Sequence, residues 1–286
     1  MVNLILGTAT FETGYGIANK RIRLETEAIH RIIATAQNLG IKEFDTAPVY
    51  GGAELQLGLM LNHDLGPKVS SKISKEDAGS VMKMLASVRE TLLRTKVAKL
   101  TNLYLHDSES LAGPKLNETV AGLKELIALG LVERVGVSAY SLQSVLRSKE
   151  LIPELSVFQV PENICDRRML NSIDLVDLKL AGNHLIVRSI FLQGLLLMSL
   201  NEIPPHLKRA KIAISQLRAL SDSSGVSVLQ LCLGYGQTIP WANALVIGAA
   251  SASQLTQIIE SNSQLPIEWE SKIDTLPEEV LDPRRW

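Results

Sequence analysis

Phe44-Asp45-Thr46-Ala47-Pro48-Val49-Tyr50-Gly51-Gly52-Ala53-Glu54 is the stretch from which the rest of the chain can be read. A short strand-forming run, Lys42 to Asp45, ends at its start. A loop with a proline and two glycines follows, and a helix is expected from near Ala53 to Leu61. Asp45 therefore stands at the C-terminal end of a strand, and Tyr50 in the loop just beyond it.

The same strand–loop–helix unit recurs on both sides. Toward the N-terminus, Leu4 to Gly7 precedes a polar loop and a helix near Thr26 to Leu39. In that helix Ile29, Ile32, Ile33 and Ala36 keep a 3.6-residue period, and Gly40 stops it. Toward the C-terminus, strands are expected at Lys68 to Lys72, Leu100 to Leu105, Glu133 to Ser138, Val157 to Val160, His184 to Ser189 and Leu245 to Gly248. Helices are expected near Ser80 to Leu93, Thr119 to Leu129, from Leu142, and at Met169 to Leu180, Leu207 to Leu220, Val226 to Tyr235 and Ser253 to Ser261. Strands alternating with crossover helices pack as a parallel sheet, and eight such units favour an α/β fold closed as an eight-stranded parallel (β/α)8 TIM barrel. The 286 residues suit a single barrel domain, 1–286, since such barrels use about 250. No linker, low-complexity tract or fixed-period repeat divides the chain.

Composition narrows the function. A net charge of -1, with acids and bases interspersed, offers no basic stripe to a nucleic acid or a membrane. Cys165 and Cys232 lie far apart in apolar surroundings and read as buried free thiols, which suits a reducing compartment. Met1 to Gly7 is too short for a secretion signal. The apolar run Ile190 to Leu200 is broken by Gln193 and Ser199 and falls short of the roughly 20 residues of a membrane span. A cytoplasmic monomer is expected. His30, His63, His184 and His206 have no metal-ligand spacing, and neither a G-x-S-x-G elbow nor an early G-x-G-x-x-G turn occurs.

Catalytic groups of such barrels come from the C-terminal strand ends and the loops after them. Asp45, Lys72 and His106 stand there at the ends of the second, third and fourth strands, with Tyr50 in the loop after the second. Neighbouring strands are about 4.8 Å apart, so these side chains can converge. Each alone has a structural explanation: a turn cap, a packed ring, a solvated ammonium, a core imidazole. Together they suit carbonyl reduction, in which hydride addition builds negative charge on an oxygen that must then receive a proton. A tyrosine of ordinary pKa near 10 is a weak acid, and an adjacent ammonium favours its phenolate. Asp45 would hold Lys72 charged, and His106 could donate a hydrogen bond to the substrate oxygen.

The Phe44–Glu54 segment, continued by Leu57-Gly58 and with Lys72 and His106 at the expected later positions, resembles the signature of aldo-keto reductases. The likeness runs from Gly7-Thr8-Ala9 to Val246-Ile247-Gly248. It implies the barrel, a nicotinamide cofactor, and Asp45, Tyr50, Lys72 and His106 as the catalytic tetrad. By the same resemblance the dinucleotide lies across the barrel mouth, against Gly7, Thr8, Ser138, Gln159, Arg188, Ser189, Phe191, Gly194, Gly248, Ser251 and Gln254. Ser138 and Gln159 would hold the nicotinamide amide, Ser189 to Gly194 the pyrophosphate, and Gln254 the adenine. Two departures stand out. Ala139 replaces the Asn of many relatives, which puts one hydrogen bond in question. Arg188 replaces an aromatic ring that stacks on the nicotinamide; its guanidinium could stack, bind phosphate, or form a structural ion pair. The family tendency points to NADPH, but no Arg or Lys stands near Ala250 or Ser251, which leaves NADH open.

Phe11 and Tyr15, in the loop after the first strand, are expected to edge the substrate pocket. The stretch Leu6-Gly7-Thr8-Ala9-Thr10-Phe11 followed by Gly14-Tyr15-Gly16-Ile17-Ala18-Asn19 looks like a bacterial branch associated with sugar and polysaccharide pathways, which implies a small-molecule, sugar-type carbonyl substrate; Asp107 and Asn163 would suit it. The competing reading is a nicotinamide-nucleotide-binding regulatory or sensor protein with little turnover.

Overall fold

The computed structural model describes residues 1–18, 23–106, 115–265, 268–269 and 272–286. Strands β1 (Asn3–Gly7), β2 (Glu43–Asp45), β3 (Lys68–Ile73), β4 (Leu100–Leu105), β5 (Val132–Ser138), β6 (Val157–Pro161), β7 (His184–Arg188) and β8 (Ala244–Ile247) form a closed parallel barrel in sequence order, with β8 pairing back onto β1. Around them run α1 (Ala9–Glu12), α2 (Thr26–Asn38), α3 (Ala53–Met60), α4 (Val81–Thr95), α5 (Leu116–Ala128), α6 (Leu142–Leu151), α7 (Ile173–Leu180), α8 (Lys211–Ser224), α9 (Val228–Thr238), α10 (Ala252–Glu260) and the short α11 (Glu278–Leu281). The expected eight-stranded barrel is the fold.

The core has two parts, because each strand points alternate residues in and out. Outward residues meet the apolar stripes of the helices: Ile29, Ile32 and Ile33 of α2, Met84 and Val88 of α4, and Leu123 and Leu126 of α5 are buried in this shell. Each such side chain, once out of water, contributes about 1.5–3 kcal/mol. The inward layer is smaller and holds Ile5, Tyr104, Val157, Ile186 and Ala244. The packing also explains Gly58: a Cβ there would lie 1.9 Å from the Arg94 carbonyl oxygen, so α3 and α4 can meet at this depth only over a glycine.

Strand register places the site. Asp45 pairs with Ser70, and Lys72 lies two residues further along β3, on the same face as Ser70. Asp45 and the Lys72 ammonium thus face one another inside the mouth.

Element boundaries shift by a few residues where caps decide them. The helix expected from Met169 starts at Ile173, because the Ser172 hydroxyl accepts from Leu175 N at 3.3 Å. The helix expected over Leu207 to Leu220 begins at Lys211, after a 3-10 stretch from Pro205 to Ala210, and ends at Gly225 with φ +70. The polar loop expected after β1 contains the one-turn helix α1. Cys165 and Cys232 are free and buried, as read from the sequence. Among the described residues no helix is long and apolar enough to cross a membrane, and no cluster of His, Cys, Asp or Glu could hold a metal ion.

Candidate active site

A cleft of about 720 Å³ opens at the C-terminal strand ends. Asp45, Tyr50, Gln159 and Arg188 line it, and it continues past the loop after β7 to Gly248 and Gln254 beyond β8.

The Lys72 Nζ donates to Asp45 Oδ1 at 2.5 Å and to the Thr46 carbonyl at 3.0 Å, with lysine and aspartate both nearly inaccessible to water. The same ammonium lies 5.1 Å from the centre of the Tyr50 ring and 5.9 Å from that of Tyr104 beneath it. From the opposite side of the barrel, Gln159 Nε2 donates to Asp45 Oδ2 at 2.9 Å. Both carboxylate oxygens are therefore engaged.

These contacts set the proton affinities. Burial alone would lower the Lys72 ammonium, but the Asp45 carboxylate and the Tyr50 oxygen, by charge and by hydrogen bond, raise it above its ordinary value. It stays charged. Burial pushes Tyr50 upward; Lys72, by charge and hydrogen bond, and Arg188 offset part of that, and Asp45 adds to it. The sequence suggests a tyrosine lowered by its lysine. In the enclosed cleft desolvation wins, and the net direction is upward.

The first glycines of the Tyr50 loop have a structural cause. A Cβ on Gly52 would sit 2.7 Å from Glu12 Oε1, and one on Gly51, which has φ +63, would sit 3.0 Å from Glu12 Cβ. The Glu12 carboxylate lies against this turn and also accepts from Gln56 at 3.3 Å and from Arg23. The first loop is thereby clasped to the loop that carries Tyr50.

The remaining expected residues divide. Gly7, Arg188, Ser189, Phe191, Gly194, Gly248, Gln254 and Tyr15 line the cleft beside Asp45, Tyr50 and Gln159. Thr8 does not: it is buried, and its hydroxyl donates to the Asp45 carbonyl at 3.2 Å, tying β1 to β2. Ser138 is buried outside the cleft lining. Ser251 spends its hydroxyl capping α10, where it accepts from Gln254 N at 3.1 Å. Phe11 does not edge the pocket, because α1 turns its ring into the core, where it is fully buried. Tyr15 stays at the mouth with 41% of its surface open, while burial of its hydroxyl raises it to about 12. His106 follows β4 directly, half-buried, with its backbone N–H on the Ile73 carbonyl at 3.0 Å; its side chain is not part of the cleft lining. Asn163 is buried and uses its side chain on the backbone at Cys165 and Ser189. Asp107 lies outside the described residues.

The loop after β7 is strained. Ser189, Leu192 and Gln193 have φ of 64, 46 and 54, and Gly194 has 89. Left-handed backbone costs a non-glycine residue about 1–2 kcal/mol; within the loop the Leu192 and Gly194 N–H groups donate to the Ser189 and Phe191 carbonyls, each at 2.9 Å. A Cβ on Gly194 would meet that of Ala18 at 2.5 Å, so the loops after β1 and β7 touch above the cleft.

A parallel barrel with a lysine-backed tyrosine at its mouth defines a class of carbonyl-reducing oxidoreductases. The chain belongs to the aldo/keto reductase family, whose model matches residues 3–277. It is 26% identical over 278 residues to the L-glyceraldehyde 3-phosphate reductase of Escherichia coli K12, covering 84% of this chain and 80% of that protein. It is 26% identical over 251 residues to the L-galactose dehydrogenase of Arabidopsis thaliana, covering 82% and 77%. Its fold is similar to that of a glycerol dehydrogenase from Gluconobacter oxydans, with a TM-score of 0.71 at 20% identity over 94% of this chain and 89% of the other.

Proposed function

We propose that the protein is a NAD(P)H-dependent reductase that turns an aldehyde or ketone into an alcohol, with Tyr50 as the proton donor. The observation that carries this reading is the convergence of Tyr50, Lys72 and Asp45 at the edge of one cleft. A reduced nicotinamide, when bound, would supply the hydride. The Tyr50 hydroxyl, kept protonated by its burial, gives its proton to the carbonyl oxygen as charge builds there. Lys72 then stabilises the tyrosinate left behind, and Asp45 keeps Lys72 charged through the cycle.

The cleft suits a dinucleotide. By the family resemblance the loop from Ser189 to Gly194, most of which lines the cleft, would hold phosphate oxygens, and Gln159 and Gln254 flank the two ends. The Gln254 Oε1 accepts from Ala250 N at 2.7 Å, which leaves its amide N–H groups for a base. Family tendency favours NADPH. Against it, the described lining beyond the β7 loop carries Glu202 and no lysine or arginine for a 2′-phosphate, so NADH is tested alongside.

A sugar-type carbonyl is the proposed substrate, supported by relatives named for L-glyceraldehyde 3-phosphate and L-galactose. The test follows loss of nicotinamide absorbance with each cofactor over a panel of sugar aldehydes, keto-sugars and apolar aldehydes, for the wild type and Tyr50→Phe. Turnover of sugar carbonyls that the substitution abolishes is the expected result. Tight cofactor binding without turnover on any carbonyl would overturn it in favour of a sensor.

A further inference from the structure

Arg188 ends β7 and lines the cleft, and its guanidinium bridges the loops after β5 and β7. Most of its contact lies across β6, at the end of β5. There one terminal nitrogen donates to the Ala139 carbonyl at 3.3 Å, and the guanidinium carbon lies 4.2 Å from the centre of the Tyr140 ring. The other terminal nitrogen donates to Ser189 Oγ at 3.2 Å. These contacts use two of the five N–H donors of an arginine and fix the plane of the group.

Among the described residues no carboxylate lies within ion-pairing distance of Arg188, so the structural ion pair is not what holds it. Tyr140 takes a second guanidinium on another approach: the Arg284 Cζ lies 3.8 Å from its ring centre, and Arg284 is itself paired with Asp282 at 2.8 Å. The acid at this corner is therefore spent on the C-terminal arginine. The other charge at this end of the cleft, Asp45, is matched by Lys72. Among the described residues Arg188 has no acidic partner. Its field reaches the reaction centre, since it lowers the hydroxyls of both Tyr15 and Tyr50 against the burial that raises them. A half-buried cation held rigid by neutral groups, with donors unused and a cleft in front, is built for an anion.

We infer that Arg188 anchors an anionic group, a carboxylate or a phosphate, on the carbonyl substrate itself, so that the protein prefers acidic aldehydes or ketones to neutral ones. This rests on the proposed reductase reading and adds the substrate class. The nucleotide is the competing partner, because the guanidinium also touches Ser189, and the cofactor affinity of an Arg188 variant separates the two.

The experiment compares kcat/KM for matched pairs: succinic semialdehyde against butanal for the carboxylate, and glyceraldehyde 3-phosphate against glyceraldehyde for the phosphate. The wild type is expected to favour at least one acidic member, and Arg188→Gln to shrink that acidic-to-neutral ratio by 10-fold or more. Arg188→Lys, which keeps the charge and loses the planar stack, is expected to retain most of the preference. It guards against a loss caused by repacking, and thermal melts check that both variants fold. A ratio that Arg188→Gln leaves unmoved overturns the inference; if that variant also loosens NADH or NADPH, measured by quenching of tryptophan fluorescence, the side chain serves the nucleotide. Should no carbonyl be turned over, the reductase reading fails separately. Calorimetric binding of succinic semialdehyde and glyceraldehyde 3-phosphate to wild type and Arg188→Gln then still decides: equal affinity for both compounds overturns the anchor, and a 10-fold loss for either upholds it.

Discussion

Gln159, on β6, reaches across the barrel to donate its amide to the Asp45 carboxylate of β2, at 2.9 Å. The bond joins strands on opposite sides of the mouth, and it occupies the one carboxylate oxygen that Lys72 leaves open. A buried carboxylate is stable only when its lone pairs are met, and Gln159 meets the oxygen that Lys72 does not.

Replacing Gln159 with Leu removes this donor. A hydrogen bond to a charged group contributes about 1.5–3 kcal/mol, and a loss of stability of that order is expected by denaturant titration. Gln159→Glu should cost more, because it sets a second carboxylate against Asp45 within a dry site. If Leu and Glu melt alike, the amide is not supporting the carboxylate.

The proton-donor role gives a sharper kinetic expectation. Tyr50→Phe deletes one hydroxyl and leaves the ring over the Lys72 ammonium. A positioned acid contributes about 10²- to 10⁴-fold, so kcat should fall by that factor while the cofactor dissociation constant moves little. A variant that kept more than a tenth of the wild-type kcat would assign the proton to another group.

What the sequence revealed depended on whether a residue's neighbours were in the chain or in space. The barrel was legible because eight strands and their helices each carry their own periodicity and stops, and Asp45, Tyr50 and Lys72 because strand ends in a barrel share one rim. Phe11 is not placed by local pattern: the four residues of α1 are too few to show a helical period, and only the folded chain turns the ring inward. Thr8 and Ser251 have the polarity of ligand contacts, and nothing local in the sequence shows that their hydroxyls also tie β1 to β2 and cap α10. The partners of Gln159, the stack of Arg188 on Tyr140, and the Glu12 clasp under Gly51-Gly52 are long-range, and no local pattern encodes them.

Away from the site, Glu162 is a buried acid that makes stability depend on pH. Burial, assisted by Asp166, raises it from 4.5 to about 8, although hydrogen bonds from Tyr235 at 2.6 Å and from Met169 N at 3.2 Å pull it down. With its folded pKa above its unfolded one, the native state holds a proton that the unfolded chain has released across that interval. The contribution is complete below pH 4.5 and is lost as pH rises through about 8. Melting temperature should therefore decline from mildly acidic to mildly alkaline buffer, and Glu162→Gln, which never ionises, should flatten the slope. Parallel slopes for the two proteins would remove Glu162 as the cause.

The buried pair of Asp45 and Lys72 allows a separation of folding from chemistry. Lys72→Met leaves the carboxylate facing a methyl group, with Gln159 as its remaining side-chain partner. Removing one member of a buried ion pair costs about 3–5 kcal/mol, because the other charge stays desolvated. Asp45→Leu should cost a similar amount from the opposite side. The double variant Asp45→Leu/Lys72→Met removes both charges, and replacing a buried pair by apolar groups is often neutral, so most of the lost stability should return. Activity should not return with it, since Tyr50 would then lack the ammonium that stabilises its tyrosinate. Melting curves and turnover measured on all four proteins check this. Recovery of both in the double variant would mean that Lys72 acts only as a structural ion, and recovery of neither would mean that the pair is not coupled as its geometry indicates.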